Sequence, residues 1–305
     1  MTDTPTITPA SWLMVATLGF VWGGTFLVQA LALETAPPFW VAAGRIVLAA
    51  LITTAIWQLR GGRMFTTPVT NWPLLIFVSL TSAALPFMLL AWGQQFVTSS
   101  FTGVTMAAVA LIVLPMAHVL IPGERMTLRR TAGFVIGFIG VVVLIGPGAF
   151  TASGNAMEPL GRLACLGGAT CYAVSSVLMR RLPALDPFGL AAATLLFGSL
   201  FVLPIAVAVH GPPQLPSPRG LLLIALLGLV PTAAANLLRI VVIRSAGPVF
   251  MSLTNYQVPL WSVALGVIFL GEPLKASLLW ALVLILIGVA LSQYGALKRL
   301  FTRPL

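Results

Sequence analysis

The chain has 305 residues, of which 59% are apolar and only 7% charged, and it carries a net charge of +10. Soluble domains carry about 25% charged residues, so this chain could not cover a water-facing surface, and a soluble globular fold is excluded. What remains is a polytopic membrane protein, whose spans need about 20 apolar residues each.

Polar and Gly/Pro clusters divide the chain into ten predicted spans. The first, 11–32, has no Lys or Arg before it and many similar runs after it, so it reads as a membrane helix rather than a cleavable leader. Span two, 39–58, follows "ETAPPF" and holds Arg45 in its interior; spans three and four, 73–94 and 99–121, are parted by "VTSS". Span five, 128–147, follows "PGERM", and span six, 160–180, contains both cysteines, Cys165 and Cys171. Their spacing matches no metal-site pattern and puts them on different helix faces, so they read as buried small residues. Span seven, 187–209, starts after "RRLPALDP"; spans eight and nine, 219–240 and 246–269, are parted by "RSAGP"; span ten, 276–295, follows "GEPLK". The runs are continuously apolar, without the alternation that a membrane β-barrel strand requires.

Orientation follows from the basic residues. With the N-terminus inside, the inner loops and C-terminus hold Arg60, Arg63, Arg125, Arg129, Arg130, Arg180, Arg181, Arg239, Arg244, Lys298, Arg299 and Arg303. The outer loops hold Arg162, Arg219 and Lys275, a twelve-to-three bias that predicts cytoplasmic termini. The positive charge thus reports topology and contact with anionic headgroups, and nothing calls for a nucleic-acid partner.

The chain also repeats itself. "PGERMTLRRTAGFVIGFIGVVVL" returns as "LGEPLKASLLWALVLILIGVAL", placing Gly123 on Gly271 and Glu124 on Glu272 at an offset of 148. "PFWVAA" at Pro38 returns as "PFGLAA" at Pro187, an offset of 149. Each half then holds five spans, and because five is odd the second half enters the membrane from the opposite side. Inverted repeats of this kind place a substrate site between the halves near the midplane.

The motifs "GFVWGGTFLVQ", "PPFWVAAGRIVLAAL", "NYQVPLWSVALGVIFLGEP" and the paired "GE…IGV" endings resemble the drug/metabolite transporter superfamily, specifically its EamA-type ten-helix branch. Within that branch the chain looks most like the bacterial amino-acid exporters, the aromatic amino-acid exporter among them. It departs from the pattern at Arg239, where the family more often has an aromatic residue, and at Val258, which replaces the usual acid before Pro259.

The interior polar and aromatic residues define a candidate pocket: Trp22, Gln29, Phe87, Trp92, Gln94, Thr105, Met106, Tyr172, Asn236, Asn255, Tyr256 and Gln257. Polar groups inside a membrane need a partner or a wet cavity, and aromatic faces with a few amides suit a small apolar or zwitterionic metabolite. An interfacial aromatic belt is the competing account; it covers Trp72 and Trp280, and Trp92 fits either. Arg45 and Arg239 are candidate partners for a substrate carboxylate. Outward snorkelling competes for both, and the resemblance, in which an arginine at the first position is common across diverse substrates, favours a structural role there. His118 reads as interfacial. Pro231 and Pro259 fall near span middles and are candidate hinges, since a proline removes a helix bond. Gly23–Gly24 and Gly167–Gly168 mark either close approach or local unwinding, and Gly133, Gly137 and Gly140 suit helix packing at the periphery or a dimer contact.

The six acids, Asp3, Glu34, Glu124, Glu158, Asp186 and Glu272, all sit in tails, loops or span ends. With no acid mid-membrane and no Walker glycine loop, uncoupled facilitated diffusion or exchange leads over proton or ATP drive. Glu124 and Glu272 are expected to stabilise the starts of spans five and ten.

The expectation is an all-α polytopic membrane protein: ten transmembrane helices in two inverted five-helix repeats, 1–150 and 151–305. Its expected function is export of small metabolites, aromatic or other apolar amino acids first, across the plasma or inner membrane by alternating access. A proton-coupled exporter of drugs or other amphipathic metabolites, and a channel-like permeation protein, are the alternatives. No enzyme chemistry, metal or cofactor is expected. The partners are a small-molecule substrate and the bilayer, with the protein a monomer or homodimer.

Overall fold

The computed structural model describes residues 7–66, 70–122, 124–145, 156–214 and 216–302. Gly123, the 150/151 division between the halves and Arg303 lie outside the described residues. Ten helices in chain order account for the predicted spans: α1 (Pro9–Leu33), α2 (Pro38–Leu59), α3 (Trp72–Gly93), α4 (Ser99–Leu120), α5 (Leu128–Ile145), α6 (Glu158–Leu178), α7 (Pro187–His210), α8 (Pro218–Ala246), α9 (Thr254–Leu270) and α10 (Ala276–Thr302). Nine of these are long and apolar enough to cross a membrane, and α9 is a shorter apolar helix. Among the described residues the only β-pairing is an isolated bridge between Phe65 and Leu185.

Local chemistry explains the starts. α1, α2, α3, α6, α7 and α8 each have proline in the first helical turn, where its missing N–H costs nothing and its fixed φ helps. Thr8, Asn71, Thr98, Asp186 and Ser217 cap their helices through the side chain, satisfying otherwise orphaned amides.

Three helices depart from a straight α-span. α3 and α8 each contain a wide π-turn, Leu80–Ala84 and Gly228–Ala234. The two turns start 148 residues apart, the same offset as the Glu124–Glu272 repeat. The predicted ninth span is divided: a single turn, Pro248–Met251, precedes a break at Ser252–Leu253, and α9 follows. At the break the Thr254 hydroxyl donates to the Met251 carbonyl (2.8 Å), a local side-chain bond that competes with continuous helix.

The packing is two-fold in character. α5 lies on α10, α2 on α7 and α4 on α9, each helix against its counterpart in the other half. α1 packs on α9 as α6 packs on α4, and α3 on α6 as α8 on α1. Exchanging the halves therefore leaves these pairings unchanged, although α4 also packs on α5 and α10. Close approaches give the helix senses: Gly133 meets Gly288 and Ser292, while Gly140 meets Ile285, so α5 and α10 run antiparallel. Gly103 against Ser262 and Gly266 against Ser99 and Ser100 make α4 and α9 antiparallel too. The helices of these two counterpart pairs thus run in opposite senses.

These glycines settle two expectations. Gly133 and Gly140 face α10 and Gly137 faces Leu111 and Gly288, so they seal an internal contact rather than offering a free dimer surface. Gly23 and Gly168 sit in unbroken helix, against Trp261 and Leu90 respectively; close approach is their role, with no unwinding.

The glutamates also part company. Glu272 does not cap its own helix: its carboxylate accepts from the backbone amides of Ser99 (2.6 Å) and Ser100 (2.9 Å) and from the Ser100 hydroxyl (2.5 Å), closing the start of α4. Glu124 instead pairs with Arg130 (2.9 Å) and Arg180 (3.3 Å) in a loop, and the Arg130 bond holds its pKa below the usual carboxylate value. Replacing Glu272 with Ala is expected to cost roughly 1–2 kcal/mol through a lost cap and helix-terminus charge. Glu124→Ala breaks exposed pairs and is expected to cost under about 1 kcal/mol. Thermal midpoints of the purified variants check the order; equal losses would refute the cap.

Candidate functional site

Two of the four apolar clusters make up most of the interior. One joins residues of α4, α5, α9 and α10 with Phe26, Leu90 and Cys165; the other joins α2, α3, α7 and α8. A chain of buried polar groups joins α1, α2, α3 and α8.

Arg45 is its centre. The side chain is only 4% exposed, so it does not snorkel, contrary to that expectation. Its Nη1 donates to Gln29 Oε1 (3.0 Å), and Nε and Nη2 both donate to the Thr232 hydroxyl (3.2 and 3.0 Å). The guanidinium lies 4.1 Å above the ring of Phe87, a cation–π contact strengthened by exclusion of water. Gln29 Nε2 passes the chain on to Gln94 Oε1 (2.9 Å), and Gln94 Nε2 ends it on the Phe26 carbonyl (2.6 Å).

Thr232 is placed by the π-turn of α8. Pro231 has no N–H to offer the Leu227 carbonyl four residues back, and the wide turn brings Thr232 to that carbonyl, to which its hydroxyl donates (2.7 Å). That commits its one proton and leaves both lone pairs for Arg45. The Pro231 carbonyl in turn accepts from Trp22 Nε1 (3.1 Å). On the α3 side, Phe87 follows the other π-turn and meets Tyr172 edge-on at 6.5 Å. Arg45 is thus clasped between the two corresponding π-turned helices.

Among the described residues the charge has no counter-ion. Glu124, Glu158 and Glu34 pair with Arg130 and Arg180, Arg162, and Arg219; Glu272 caps α4 and Asp186 caps α7. No ion pair to Arg45 exists among the described residues. Three of its five N–H groups are used, which leaves one on each terminal nitrogen, the spacing that a carboxylate accepts in bidentate fashion.

The structure gathers Arg45, Trp22, Phe87, Gln94, Tyr172, Asn236 and Pro231 around this chain. Trp22, Met106, Tyr172 and Tyr256 pack, half-buried, against the α4–α10 cluster. Asn236 Nδ2 donates to the Thr232 carbonyl (2.5 Å). Other predicted residues lie apart. Trp92 stacks edge-on with Phe96 and lines an apolar cleft of about 200 Å³ with Phe39, Leu85, Met88 and Leu89. Thr105 is buried and bonds its own helix at the Phe101 carbonyl (2.9 Å). Asn255 is exposed beside the break before α9, Tyr256 buries a hydroxyl without a partner, and Gln257 packs on Gly19. Arg239 is exposed on the second limb of α8, and Pro259 is buried inside unbroken α9. His118 bonds the 124–126 loop. Thr232 is the residue that sequence reasoning missed. Its signal was the Pro231–Thr232 pair, in which a proline frees a carbonyl beside a hydroxyl.

Ten apolar helices around a buried polar centre, nine of them long enough to cross a membrane, are the architecture of a multi-pass membrane protein. The chain belongs to the EamA-like transporter family, whose model matches twice, over residues 10–146 and 159–294. Its relatives include the uncharacterized inner membrane transporter YedA of Escherichia coli, 29% identical with 91% of this chain and 89% of that protein covered. Another is the uncharacterized transporter YvbV of Bacillus subtilis, 26% identical over 92% and 90%. A crystal structure shares the fold, with a TM-score of 0.66 and 20% identity over 94% of this chain and 98% of that one.

Proposed function

We propose that this transporter exports small zwitterionic metabolites, aromatic and other apolar amino acids first, by alternating access without ion coupling. The observation that carries the reading is Arg45, a buried guanidinium with two free N–H groups, no counter-ion among the described residues and aromatic side chains beside it. A substrate carboxylate would complete it, and the faces of Trp22, Phe87 and Tyr172 would take the apolar side chain. Mid-span acids are absent from the sequence, so a proton relay has no carboxylate to run through. The paired π-turns of α3 and α8 are the proposed hinges, with Pro231 inside one of them and Pro259 a second candidate. Cytoplasmic termini follow from the distribution of basic residues.

Counterflow in proteoliposomes tests this. With unlabelled tryptophan or phenylalanine inside and labelled amino acid outside, saturable transient accumulation is expected at zero pH and voltage gradient, unaffected by proton ionophores. Accumulation that requires a pH gradient would replace the uncoupled mechanism with proton coupling. Flux without trans-stimulation would indicate a channel. No flux of any amino acid by folded protein would overturn the substrate class.

A further inference from the structure

The loops at the end of the bundle where α2, α6 and α8 finish are stitched together across the two halves. Thr66 N donates to the Ala184 carbonyl and Asp186 N to the Met64 carbonyl, both at 3.0 Å, and the Thr66 hydroxyl also reaches Ala184 (2.9 Å). Trp57 Nε1 donates to the Arg63 carbonyl (2.9 Å) and fixes the turn beyond α2. These bonds frame a pocket of about 420 Å³ lined by Trp57, Arg60, Gly61, Arg63, Thr66 and Asp186.

Its charge is unbalanced. Arg60 and Arg244 lie over the same ring, that of Phe188, at 4.2 and 5.6 Å, which brings two like charges together. Arg60, Arg63 and Arg244 are all exposed and none forms an ion pair among the described residues. The one acid in the lining, Asp186, is committed to the first amides of α7 through Gly189 N (2.8 Å). Two arginines in the lining and Arg244 beside it, against one engaged carboxylate, call for an oxyanion of concentrated charge. Arginine forks match phosphate oxygens.

What lies beside the pocket identifies the source of that phosphate. Phe65, Trp72 and Phe197 form a stepped aromatic column, with ring centroids 5.2 and 6.5 Å apart, leading from the pocket onto α3 and α7. Trp72 is 45% exposed and Leu59, at the end of α2, 88% exposed. Basic side chains above exposed apolar and aromatic ones form the pattern of a lipid-facing interface. We propose that this pocket binds the phosphate headgroup of an anionic phospholipid, whose acyl chains lie along the Leu59 and Trp72 surface. Because its walls come from both halves, such a lipid would bridge them.

The test is native mass spectrometry of the full chain released from detergent micelles containing dioleoyl phosphatidylglycerol or phosphatidylcholine at equal concentration. Phosphatidylglycerol adducts are expected to be retained over phosphatidylcholine. Their apparent affinity should fall about fivefold for each arginine removed, in Arg63→Gln and further in Arg60→Gln/Arg63→Gln. Arg125→Gln, an exposed arginine on another loop, should leave it unchanged. Both substituted arginines are exposed, so the variants are expected to keep the parental thermal midpoint. Equal retention of the two lipids, or equal losses in Arg63→Gln and Arg125→Gln, would overturn the site. Displacement of phosphatidylglycerol by millimolar inorganic phosphate, with no preference between lipids of equal charge and different chains, would make the pocket a free-phosphate site and overturn the lipid assignment.

Discussion

Arg45→Met is expected to reduce counterflow per folded molecule by roughly ten- to a hundredfold, with Arg45→Lys falling between it and the parent. A hydrogen bond to a charged group is worth roughly 1.5–3 kcal/mol, and each 1.4 kcal/mol is about a factor of ten. Methionine keeps much of the volume but removes every donor. Lysine keeps the charge yet cannot hold Thr232 and Gln29 together and still present two parallel N–H groups to a carboxylate. The same substitution strands the Gln29 carbonyl and the Thr232 lone pairs in the interior, so a loss of about 1–3 kcal/mol of stability is also expected. The two effects are separable. Thermal midpoint reports the stranded groups, while the initial exchange rate, normalised to folded protein in the vesicles, reports the substrate contact. A purely structural Arg45 would lower the midpoint and leave the normalised rate unchanged. That outcome would remove the observation on which the substrate class rests.

The sequence shows where the helices begin far better than how they bend. Prolines and capping side chains at positions such as Pro9, Asn71, Asp186 and Ser217 act on their own neighbours, and local chemistry is legible in a single chain. The π-turns have no such local mark. That of α8 depends on Pro231 freeing a carbonyl and on a threonine whose remaining lone pairs are taken by an arginine 187 residues away. Threonines also hide well in membrane helices. Thr25, Thr53 and Thr105 each bond the carbonyl four residues back, and nothing in the sequence sets Thr232 apart from them except the proline before it. The inventory of interior polar residues did contain Arg45, Gln29 and Gln94, because burying such groups in hydrocarbon is costly and therefore conspicuous. What it could not give was their connection, since the bonds that join them span 16 and 65 residues. Glu272 shows the same limit. Its motif matched Glu124, yet its partners are the amides of a helix 172 and 173 residues away.

The second large effect is expected at the α5–α10 contact, where Gly288→Ala should destabilise the protein by roughly 1–3 kcal/mol and Gly288→Leu should prevent folding. A Cβ added at Gly288 would lie 2.5 Å from the Gly133 carbonyl oxygen and 2.5 Å from the Gly137 nitrogen. Both obstacles are backbone, so no change of rotamer relieves them and the helices must separate along their length. Gly133 faces the same difficulty in reverse, 2.6 Å from the Gly288 carbonyl oxygen. Gly167→Ala is the control, because its new Cβ would meet only the end of the Leu89 side chain at 3.4 Å, and alanine favours helix over glycine. Its midpoint should hold or rise. Half-saturation for counterflow should be unchanged in any Gly288→Ala protein that folds, since α5 and α10 contribute nothing to the Arg45 chain. A shifted half-saturation would mean that this pair moves during transport. With backbones this close, neither helix has room to slide past the other by a turn, so under the proposed alternating access the pair is expected to travel together and the wide turns of α3 and α8 to bend.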